Sequence, residues 1–219
     1  MVETAGTETP RERYRAQVRA EIKEHAWEQL ATAGASALSL NAIAKQMGLS
    51  GPALYRYFAS RDELITELIR DAYRSLADTF RATAAASADA DPVRLGHALR
   101  GWALADPQRY FLVYGTPVPG YHAPDDITAI AAEIMAMLLD ACAAQPPAPD
   151  PTPDGLETPF DAHLEDHREW AAGHPAPPAV LHRALTFWTR LHGVLSLELA
   201  GHFTGMGFDP ALLFAAELE

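Results

Sequence analysis

The chain has 219 residues, of which 48% are hydrophobic, and it carries a formal net charge of −12. This length and composition are typical of a globular protein with enough apolar material for one large or two small domains. No run of about 18 apolar residues occurs, and the N-terminus lacks the apolar core of a signal peptide. Cys142 is the single cysteine. The sequence therefore predicts a cytoplasmic protein without a membrane span or an internal disulfide.

The acidic charge is concentrated beyond residue 60. Residues 1–60 hold seven basic and six acidic side chains, whereas residues 61–219 hold ten and twenty-three. Binding to nucleic acid is compatible with this distribution if the first segment makes the contact. The acidic remainder must then stay farther from the phosphates than a Debye length of about 8 Å.

Residues 1–10 form a polar stretch without periodicity, which we predict to be a disordered tail. A helix is predicted from Arg11 to Gly34. Its apolar face consists of residues spaced four apart, namely Tyr14, Val18, Ile22, Ala26 and Leu30. Arg11 and Arg13 at its start indicate phosphate contacts or an arm that reaches a DNA groove. The alternative is a solvated face, partly neutralised by nearby glutamates.

Residues 39–58 have the pattern of two short helices joined by a tight turn. Gly48 tolerates the positive φ that such a turn requires, and Ser50 can cap the second helix. Leu54 and Phe58 lie four residues apart and should face the core, which leaves the three residues between them largely on other faces. The segment is therefore predicted to be a helix-turn-helix.

Helices are the only regular elements predicted after this segment, because no alternating pattern of convincing length occurs. Ser60 and Glu63 fit a capping box at the start of a long helix, and Arg61 adds a cation beside backbone amides that can hold a phosphate. The further predicted helices lie near 92–105, 107–114, 127–144, 160–173 and 179–202, with a last one after Pro210. The proline-rich residues 145–159 are predicted to be a linker or an insertion.

The run LNAIAKQMGLSGPALYRYFASRDELITELI, residues 40–69, resembles the DNA-binding head of the TetR family of bacterial repressors. This resemblance implies an all-α fold with an N-terminal three-helix helix-turn-helix head over residues 11–60. It also implies a C-terminal helical domain over residues 61–219 for ligand binding and dimerisation. The implied partners are a double-stranded DNA operator, a second copy of the chain and an unidentified small-molecule effector.

The resemblance also implies which residues contact DNA. Those that would hold phosphates are Ser39, Ser50, Tyr55, Tyr57 and Arg61, and those that would face base edges are Gly51, Pro52, Ala53 and Arg56. Only Arg56 among the latter can make a bidentate contact to guanine, and Gly51 stands where the family often has a polar or basic side chain. We therefore expect the head to rely heavily on phosphate contacts, Arg56 and DNA shape, and its specificity to come mostly from dimer spacing. For Tyr55 and Tyr57, helix packing with an exposed hydroxyl is the alternative.

A second run, Trp188-Thr-Arg-Leu-His-Gly193, resembles the Trp-His-Gly signature of one C-terminal subclass of the family. The resemblance implies that the last two helices pair with those of a second copy in a four-helix dimer interface. The residues predicted at this interface are Leu185, Trp188, His192, Leu195, Leu199 and Leu213. The alternative is a monomer in which this stripe is ordinary core.

The C-terminal domain holds more aromatic and sulfur-containing residues than a small helical domain needs. Those predicted to line an effector pocket are Trp102, Tyr110, Phe111, Tyr114, Met135, Met137 and Phe187. Apolar pockets between helices bind apolar or aromatic ligands, although plain core packing is the alternative for each residue. The effector would shift the population towards a conformation that releases DNA.

No catalytic residue is predicted, and the sequence predicts neither a cofactor nor a metal site. His163 and His167 have a spacing that can hold zinc, but a zincin needs a glutamate directly after the first histidine, and Glu165 comes two residues after it. A solvated acidic face is the preferred interpretation. The alternative function is a helical small-molecule- or metal-binding protein whose head serves protein contacts.

Overall fold

The computed structural model describes residues 9–86, 91–117, 121–146 and 158–218. All regular elements in these ranges are helical, which confirms the predicted all-α fold. The helices are α1 (Pro10–Ala33), α2 (Leu40–Gln46), α3 (Gly51–Leu54), α4 (Arg61–Ala85), α5 (Pro92–Ala105), α6 (Pro107–Tyr114), α7 (Asp125–Ala143), α8 (Pro159–Asp166), α9 (Pro178–Leu199) and α10 (Pro210–Ala216). None of these helices is long and apolar enough to span a membrane.

The described residues form two compact units, and the division falls inside α4. The first unit, called the head, contains the described residues up to Arg70 together with 116–117 and 121–123. The second unit, called the body, contains the described residues of 71–115 and 124–218. The division lies later than the domain boundary predicted after residue 60, because the fully buried Leu64 and Leu68 of α4 belong to the head.

Helix α1 begins at Pro10, because Thr9 forms a capping box with Glu12. The Glu12 amide donates to Oγ1 of Thr9 at 3.3 Å, and the Thr9 amide donates to the Glu12 carboxylate at 2.7 Å. The predicted disordered tail is therefore wrong for Thr9 and Pro10, and residues 1–8 lie outside the described residues. Tyr14 is 64% exposed, so the buried face of α1 begins at Val18 and not at Tyr14 as predicted.

Glycines with positive φ end the first two helical segments as predicted. Gly34, with φ of +74°, donates its amide to the carbonyl of Leu30 and closes α1. Gly48, with φ of +66°, makes the turn that follows α2. Both values lie in the left-handed region that favours glycine.

Helix α3 is a single turn, which is shorter than the sequence predicts. After Leu54, hydrogen bonds of the i to i+3 type appear: the Arg56 amide donates to Ala53 at 3.3 Å, and the Tyr57 amide donates to Leu54 at 2.8 Å. One bond of the i to i+4 type remains, from the Phe58 amide to Leu54 at 3.3 Å. Leu54 and Phe58 are nevertheless fully buried, as their spacing predicts. We call residues 51–57 the recognition segment.

Helix α4 begins with only part of the predicted capping box. The Ser60 hydroxyl accepts from the Glu63 amide at 3.0 Å, as predicted. The Glu63 carboxylate, however, accepts from the amide of Ala59 at 2.5 Å and not from that of Ser60. The Glu63 carboxylate therefore caps the amide of Ala59, one residue before the Ser60 amide that the predicted capping box would use.

In the body, α5 and α6 begin as predicted, at prolines that follow capping aspartates. The Asp91 carboxylate accepts from the Val93 amide at 2.9 Å, and the Asp106 carboxylate accepts from the Arg109 amide at 3.0 Å. Asp209 caps α10 in the same way. Proline at the first helical position lacks only an N–H group that would have no partner within the helix, which is why this combination is a reliable start.

The other predicted elements of the body differ from the structure at their ends. Helix α7 begins at Asp125, two residues earlier than predicted, and α9 ends at Leu199, which leaves His202 beyond it. The helix predicted over 160–173 is α8 followed by a 3-10 turn, Glu169–Ala171. Within the predicted linker 145–159, Thr158 caps α8 and Pro159 begins it. Residues 147–157 lie outside the described residues.

Gly96 brings α5 close to α9 and α10. A Cβ built at Gly96 would lie 2.4 Å from Leu218, 3.2 Å from Leu191 and 3.3 Å from Phe187. These distances are too short for any larger residue without displacement of its neighbours. Cys142 of α7 is buried like an ordinary small apolar side chain, as predicted.

Candidate nucleic-acid interface and aromatic cluster

Ser39 connects the start of α2 to α1. Its hydroxyl accepts from the Ala42 amide at 3.3 Å, and its own amide donates to Oε1 of Gln29 at 3.0 Å. The hydroxyl therefore lies at a helix N-terminus, where backbone N–H groups favour an anion such as a phosphate.

The recognition segment presents a mixture of exposed and half-buried side chains. Ser50, Pro52, Tyr55 and Arg56 are exposed, whereas Gly51, Ala53 and Tyr57 are half-buried. Ser50 occupies the N-cap position of α3, but its side chain makes no capping hydrogen bond, which differs from the prediction.

Two arginines of α1 hold the end of the recognition segment. Nη2 of Arg15 donates to the carbonyl oxygen of Arg56 at 3.0 Å, and Nη1 of Arg19 donates to the carbonyl oxygen of Tyr57. The Arg15 guanidinium also lies 5.6 Å from the centroid of the Tyr57 ring. These contacts use backbone oxygens that the short α3 leaves without helical partners.

Sequence reasoning missed this role for Arg15 and Arg19, and a signal for it exists. The two residues are four apart, so they share a face of α1 next to the buried Val18. Arg19 also lies 3.9 Å from the carboxylate of Glu63 and 3.7 Å from that of Glu67. An arginine on the border of a buried helix face can lay its alkyl stem along apolar surface while its guanidinium reaches a neighbouring segment.

The remaining predicted cations of the head differ in their surroundings. Arg11 and Arg13 lie in the first turn of α1 and are exposed. Arg61 is half-buried, because Nη2 donates to the carbonyl of Ala35 at 2.5 Å and Nη1 lies 3.5 Å from Asp62. Part of its hydrogen-bonding capacity is thus used within the head.

In the body, Tyr110 of α6 is at the centre of a hydrogen-bonded network with α9. Its fully buried hydroxyl lies 2.9 Å from Nδ1 of His192 and 2.8 Å from Oγ of Ser196. Burial raises the pKa of Tyr110, so this hydroxyl remains protonated and able to donate. The network fixes the orientation of the His192 ring.

Aromatic rings surround the same imidazole. The ring centroids of Tyr114 and Trp188 each lie 4.3 Å from that of His192, and those two rings are 5.9 Å apart in an edge-to-face arrangement. We call Tyr110, Tyr114, Trp188 and His192 the aromatic cluster. It brings together two residues predicted for an effector pocket, Tyr110 and Tyr114, and two predicted for a dimer interface, Trp188 and His192.

Burial dominates the chemistry of the cluster. It lowers the pKa of His192 to about 4, which keeps the imidazole neutral at physiological pH. It also raises the pKa of Tyr114 well above the ordinary value for a tyrosine. Nε2 of His192 is buried without a hydrogen-bond partner among the described residues.

Comparison with known proteins agrees with both parts of this architecture. Residues 22–68 match the family model described as bacterial regulatory proteins, tetR family, and residues 92–219 match the model described as tetracyclin repressor-like, C-terminal domain. The second match alone covers more than half of the chain. The chain belongs to the TetR family.

Relatives of this TetR-family chain support the same assignment. It is 41% identical over 211 residues to the HTH-type transcriptional regulators Rv1816 of Mycobacterium tuberculosis and Mb1846 of Mycobacterium bovis, with 93% of this chain and 90% of each relative covered. The crystal structure of SCO4313 superimposes with a TM-score of 0.85 at 73% identity, covering 96% of this chain and 97% of that one. These matches support a transcriptional regulator of the TetR family.

A more distant structure shows the fold alone. A protein from Rhodococcus sp. RHA1 is 19% identical and superimposes with a TM-score of 0.65, covering 99% of this chain and 95% of that one. The two proteins therefore share a fold although only 19% of their aligned residues are identical.

The other residues predicted for an effector pocket pack within the body. Nε1 of Trp102 donates to the Ser75 hydroxyl at 3.1 Å, and Phe187 packs against Gly96. Phe111, Met135 and Met137 are half-buried against the body core. A separate open cleft of about 570 Å³ is lined by Thr79, Ala82, Thr83, Ala86, Arg94 and His97 and shares no residue with the predicted pocket.

The predicted dimer residues do not lie on one surface. Leu195 is completely buried within the body, so its prediction as an interface residue is wrong: a second copy cannot contact it. Leu185, Leu199 and Leu213 are half-buried. Sequence reasoning missed the exposed apolar side chains of Leu197 and Leu212, which are 45% and 71% exposed.

The two histidines with zinc-like spacing do not form a metal site with other ligands. The rings of His163 and His167 stack with their centroids 4.0 Å apart, and Nδ1 of His167 bonds the carbonyl of His163. The described part of the chain contains no group of three or more histidine, cysteine, aspartate or glutamate side chains that could hold a metal ion.

Proposed function

We propose that this transcriptional regulator is a homodimeric repressor that binds a pseudo-palindromic DNA operator and is released by a small apolar or aromatic effector. The observation that carries the DNA-binding part is the recognition segment. Its exposed Tyr55 and Arg56 belong to a backbone held by Arg15 and Arg19. A reading surface fixed in advance loses little conformational entropy on binding.

Within the head, the contacts divide into positioning and reading. The phosphate contacts are assigned to the exposed Arg11 and Arg13, to Arg61, and to the hydroxyl-bearing residues Ser39, Ser50, Tyr55 and Tyr57. Gly51, Pro52, Ala53 and Arg56 are assigned to the base edges. Because only Arg56 among these can form two hydrogen bonds to guanine, phosphate contacts and DNA shape supply most of the affinity.

Dimerisation is proposed because a helix-turn-helix reads two half-sites about 34 Å apart. Gly193 of α9 is exposed, and apart from its own stretch of helix no described atom lies within 4 Å of a Cβ built on it. Together with the exposed Leu197 and Leu212, it offers an apolar surface that permits close approach of another helix. Leu185, Trp188, Leu199 and Leu213 are assigned to the margin of this interface.

Release by an effector is a population shift between a DNA-binding and a non-binding conformation. An effector that inverts occupancy from 1:99 to 99:1 must bind one state more tightly by about 5.5 kcal/mol. The aromatic cluster supports an aromatic or apolar effector, because it combines large apolar rings with few polar groups.

The decisive experiment is a gel shift of the full chain on the DNA upstream of its own gene, with excess non-specific competitor. We expect a competitor-resistant complex whose affinity falls with salt. Insertion of five base pairs between the half-sites should weaken binding by at least about 100-fold, because it moves one half-site to the opposite face of the duplex. A five-base-pair substitution of the spacer at constant length is the control.

Two outcomes would contradict the proposal. The absence of a competitor-resistant complex would exclude specific operator binding. In a transcription reporter that carries the same DNA, the protein should lower expression, and increased expression would exclude repression.

A further inference from the structure

The imidazole of His192 has one nitrogen engaged and one without a partner. Nδ1 lies 2.9 Å from the Tyr110 hydroxyl, while Nε2 is buried with no hydrogen-bond partner among the described residues. A buried polar atom left unpaired loses its hydration without compensation, and native proteins keep few of them. The position of Nε2 therefore requires an explanation.

The network on the other side of the ring prevents a rearrangement that would satisfy Nε2. Tyr110 bonds His192 and also lies 2.8 Å from the Ser196 hydroxyl, so the ring is held from α6 and from the next turn of α9. If Nδ1 accepts a hydrogen bond from Tyr110, Nε2 carries the proton and is an unpaired donor. If Nδ1 donates to Tyr110, Nε2 is an unpaired acceptor. The ring thus presents a fixed polar atom.

The rings that pack against the imidazole carry no charge. Aromatic contacts to it come from Tyr110, Tyr114 and Trp188, whose rings have no ionised group at neutral pH. An ionised ligand would lose its hydration without gaining an opposite charge from these groups. Tyr114 and Trp188 are only half-buried, so the cluster is not sealed from solvent.

We propose that Nε2 of His192 is the polar anchor of the effector site, and that the effector is an uncharged aromatic molecule with one hydrogen-bonding group, such as a phenol or an aryl ketone. The aromatic body lies against Tyr114 and Trp188, whose edge-to-face pair can accept another ring at the usual 4.5–7 Å between centroids. This inference rests on the proposed effector response, and it names the chemistry that the site recognises.

Three small probes of similar shape test the anchor. Phenol can donate and accept a hydrogen bond, anisole can only accept one, and toluene can do neither. Binding to the full chain is measured by calorimetry and by quenching of tryptophan fluorescence. We expect phenol to bind wild-type protein about 10-fold more tightly than toluene, the ratio that one net hydrogen bond supplies. Anisole should bind as tightly as phenol if Nε2 is the donor, and as weakly as toluene if Nε2 is the acceptor.

The substitution His192→Phe keeps a ring of similar size and removes both nitrogens, so the preference for phenol over toluene should disappear. His202→Phe, the same change at an exposed histidine beyond α9, should keep it. A preference that persists in His192→Phe, or equal binding of phenol and toluene to wild-type protein, would overturn the proposal.

A second measurement keeps the test decisive if His192→Phe does not fold. In wild-type protein with ¹⁵N-labelled histidine, phenol should shift the Nε2 resonance of His192 and toluene should not. No shift at saturating phenol would overturn the anchor. Operator binding is measured on the same protein before any probe is added. Its absence in wild-type protein contradicts the proposed function, whereas equal binding of phenol and toluene by a protein that does bind the operator contradicts only the anchor.

Discussion

The guanidinium of Arg19 stacks over the ring of Phe58, with 4.0 Å between its central carbon and the ring centroid. The same guanidinium donates to the carbonyl oxygen of Tyr57. Phe58 is fully buried, so this one side chain of α1 holds both the core and the backbone at the end of the recognition segment. The end of the recognition segment is therefore tied to the core of the head through Arg19.

Replacement of Arg19 should therefore destabilise the protein. We expect Arg19→Ala to lower the free energy of unfolding by about 1–2 kcal/mol, from the lost stacking and the unpaired Tyr57 carbonyl. Gln17→Ala, at an exposed position of the same helix, should stay within about 0.5 kcal/mol of wild type. Urea denaturation followed by circular dichroism measures both, and equal effects would contradict a bridging role for Arg19.

Arg56 and Arg13 should differ in how they affect DNA binding. Arg56→Ala should cost about 1–3 kcal/mol on the operator and relax the preference at one base pair, because it removes a bidentate contact. Arg13→Ala should weaken binding to all sequences alike and reduce the salt slope by about one. Fluorescence anisotropy on operator variants at several salt concentrations separates the two. A uniform loss for Arg56→Ala would make it a phosphate contact.

Gly193 offers a test of the dimer that leaves the subunit intact. Apart from the adjoining helix backbone, a Cβ there would meet no described atom of its own subunit within 4 Å, and the same is true of Gly101 on α5. We expect Gly193→Arg to convert dimer to monomer at micromolar concentration, because a charged side chain would be buried between two copies. Gly101→Arg should remain dimeric. Analytical ultracentrifugation distinguishes the species, and a dimeric Gly193→Arg protein would place the interface elsewhere.

The buried imidazole of His192 makes stability depend on pH in the acidic range. Its pKa falls from the ordinary 6.5 to about 4 in the folded protein, so between these values the unfolded chain binds more protons. Stability is therefore lost as the pH falls through this window, by up to about 3 kcal/mol. His192→Phe should lose that much less than wild type between pH 7 and pH 4 in urea denaturation, while the exposed His202→Phe should follow wild type. Parallel curves for all three proteins would refute the assignment.

Arg100 of α5 and Glu198 of α9 form an ion pair at 2.6 Å, with only 19% and 15% of their side chains exposed. Removal of one partner leaves the other charge poorly solvated, so Glu198→Gln should destabilise the body by about 2–4 kcal/mol. The double substitution Arg100→Met with Glu198→Gln should recover much of this loss. A double-mutant cycle by urea denaturation measures the coupling, and additive effects would show that the pair is not coupled.

Local chemistry made most of the helix starts predictable from the sequence. Aspartate before proline at Asp91, Asp106 and Asp209 determines a helix start through a single side-chain contact. Gly34 and Gly48 were equally predictable, because few other residues adopt their backbone conformation. Such features depend only on residues within four positions of one another, so the sequence alone is enough to predict them.

Predictions failed where the partner of a side chain is distant in sequence. Helix α9 is apolar on several faces, so periodicity did not reveal that Leu195 points into the body while Leu197 is exposed. Trp188 and His192 were correctly placed on a common face, but their contact with Tyr110 and Tyr114 depends on how α6 packs on α9. The role of Arg19 depends in the same way on a packing contact with Phe58.

The hydrogen bonds from α1 to the recognition segment end on carbonyl oxygens, and every amino acid has a carbonyl oxygen. Arg15 and Arg19 can therefore hold positions 56 and 57 whatever side chains evolution places there. If the recognition segment reads the operator as proposed, substitutions in it can change the operator preference while these backbone contacts are kept. Gly51 can be replaced by a larger residue without a clash at Cβ, because a Cβ there would lie at an ordinary 3.5 Å from Oδ1 of Asn41.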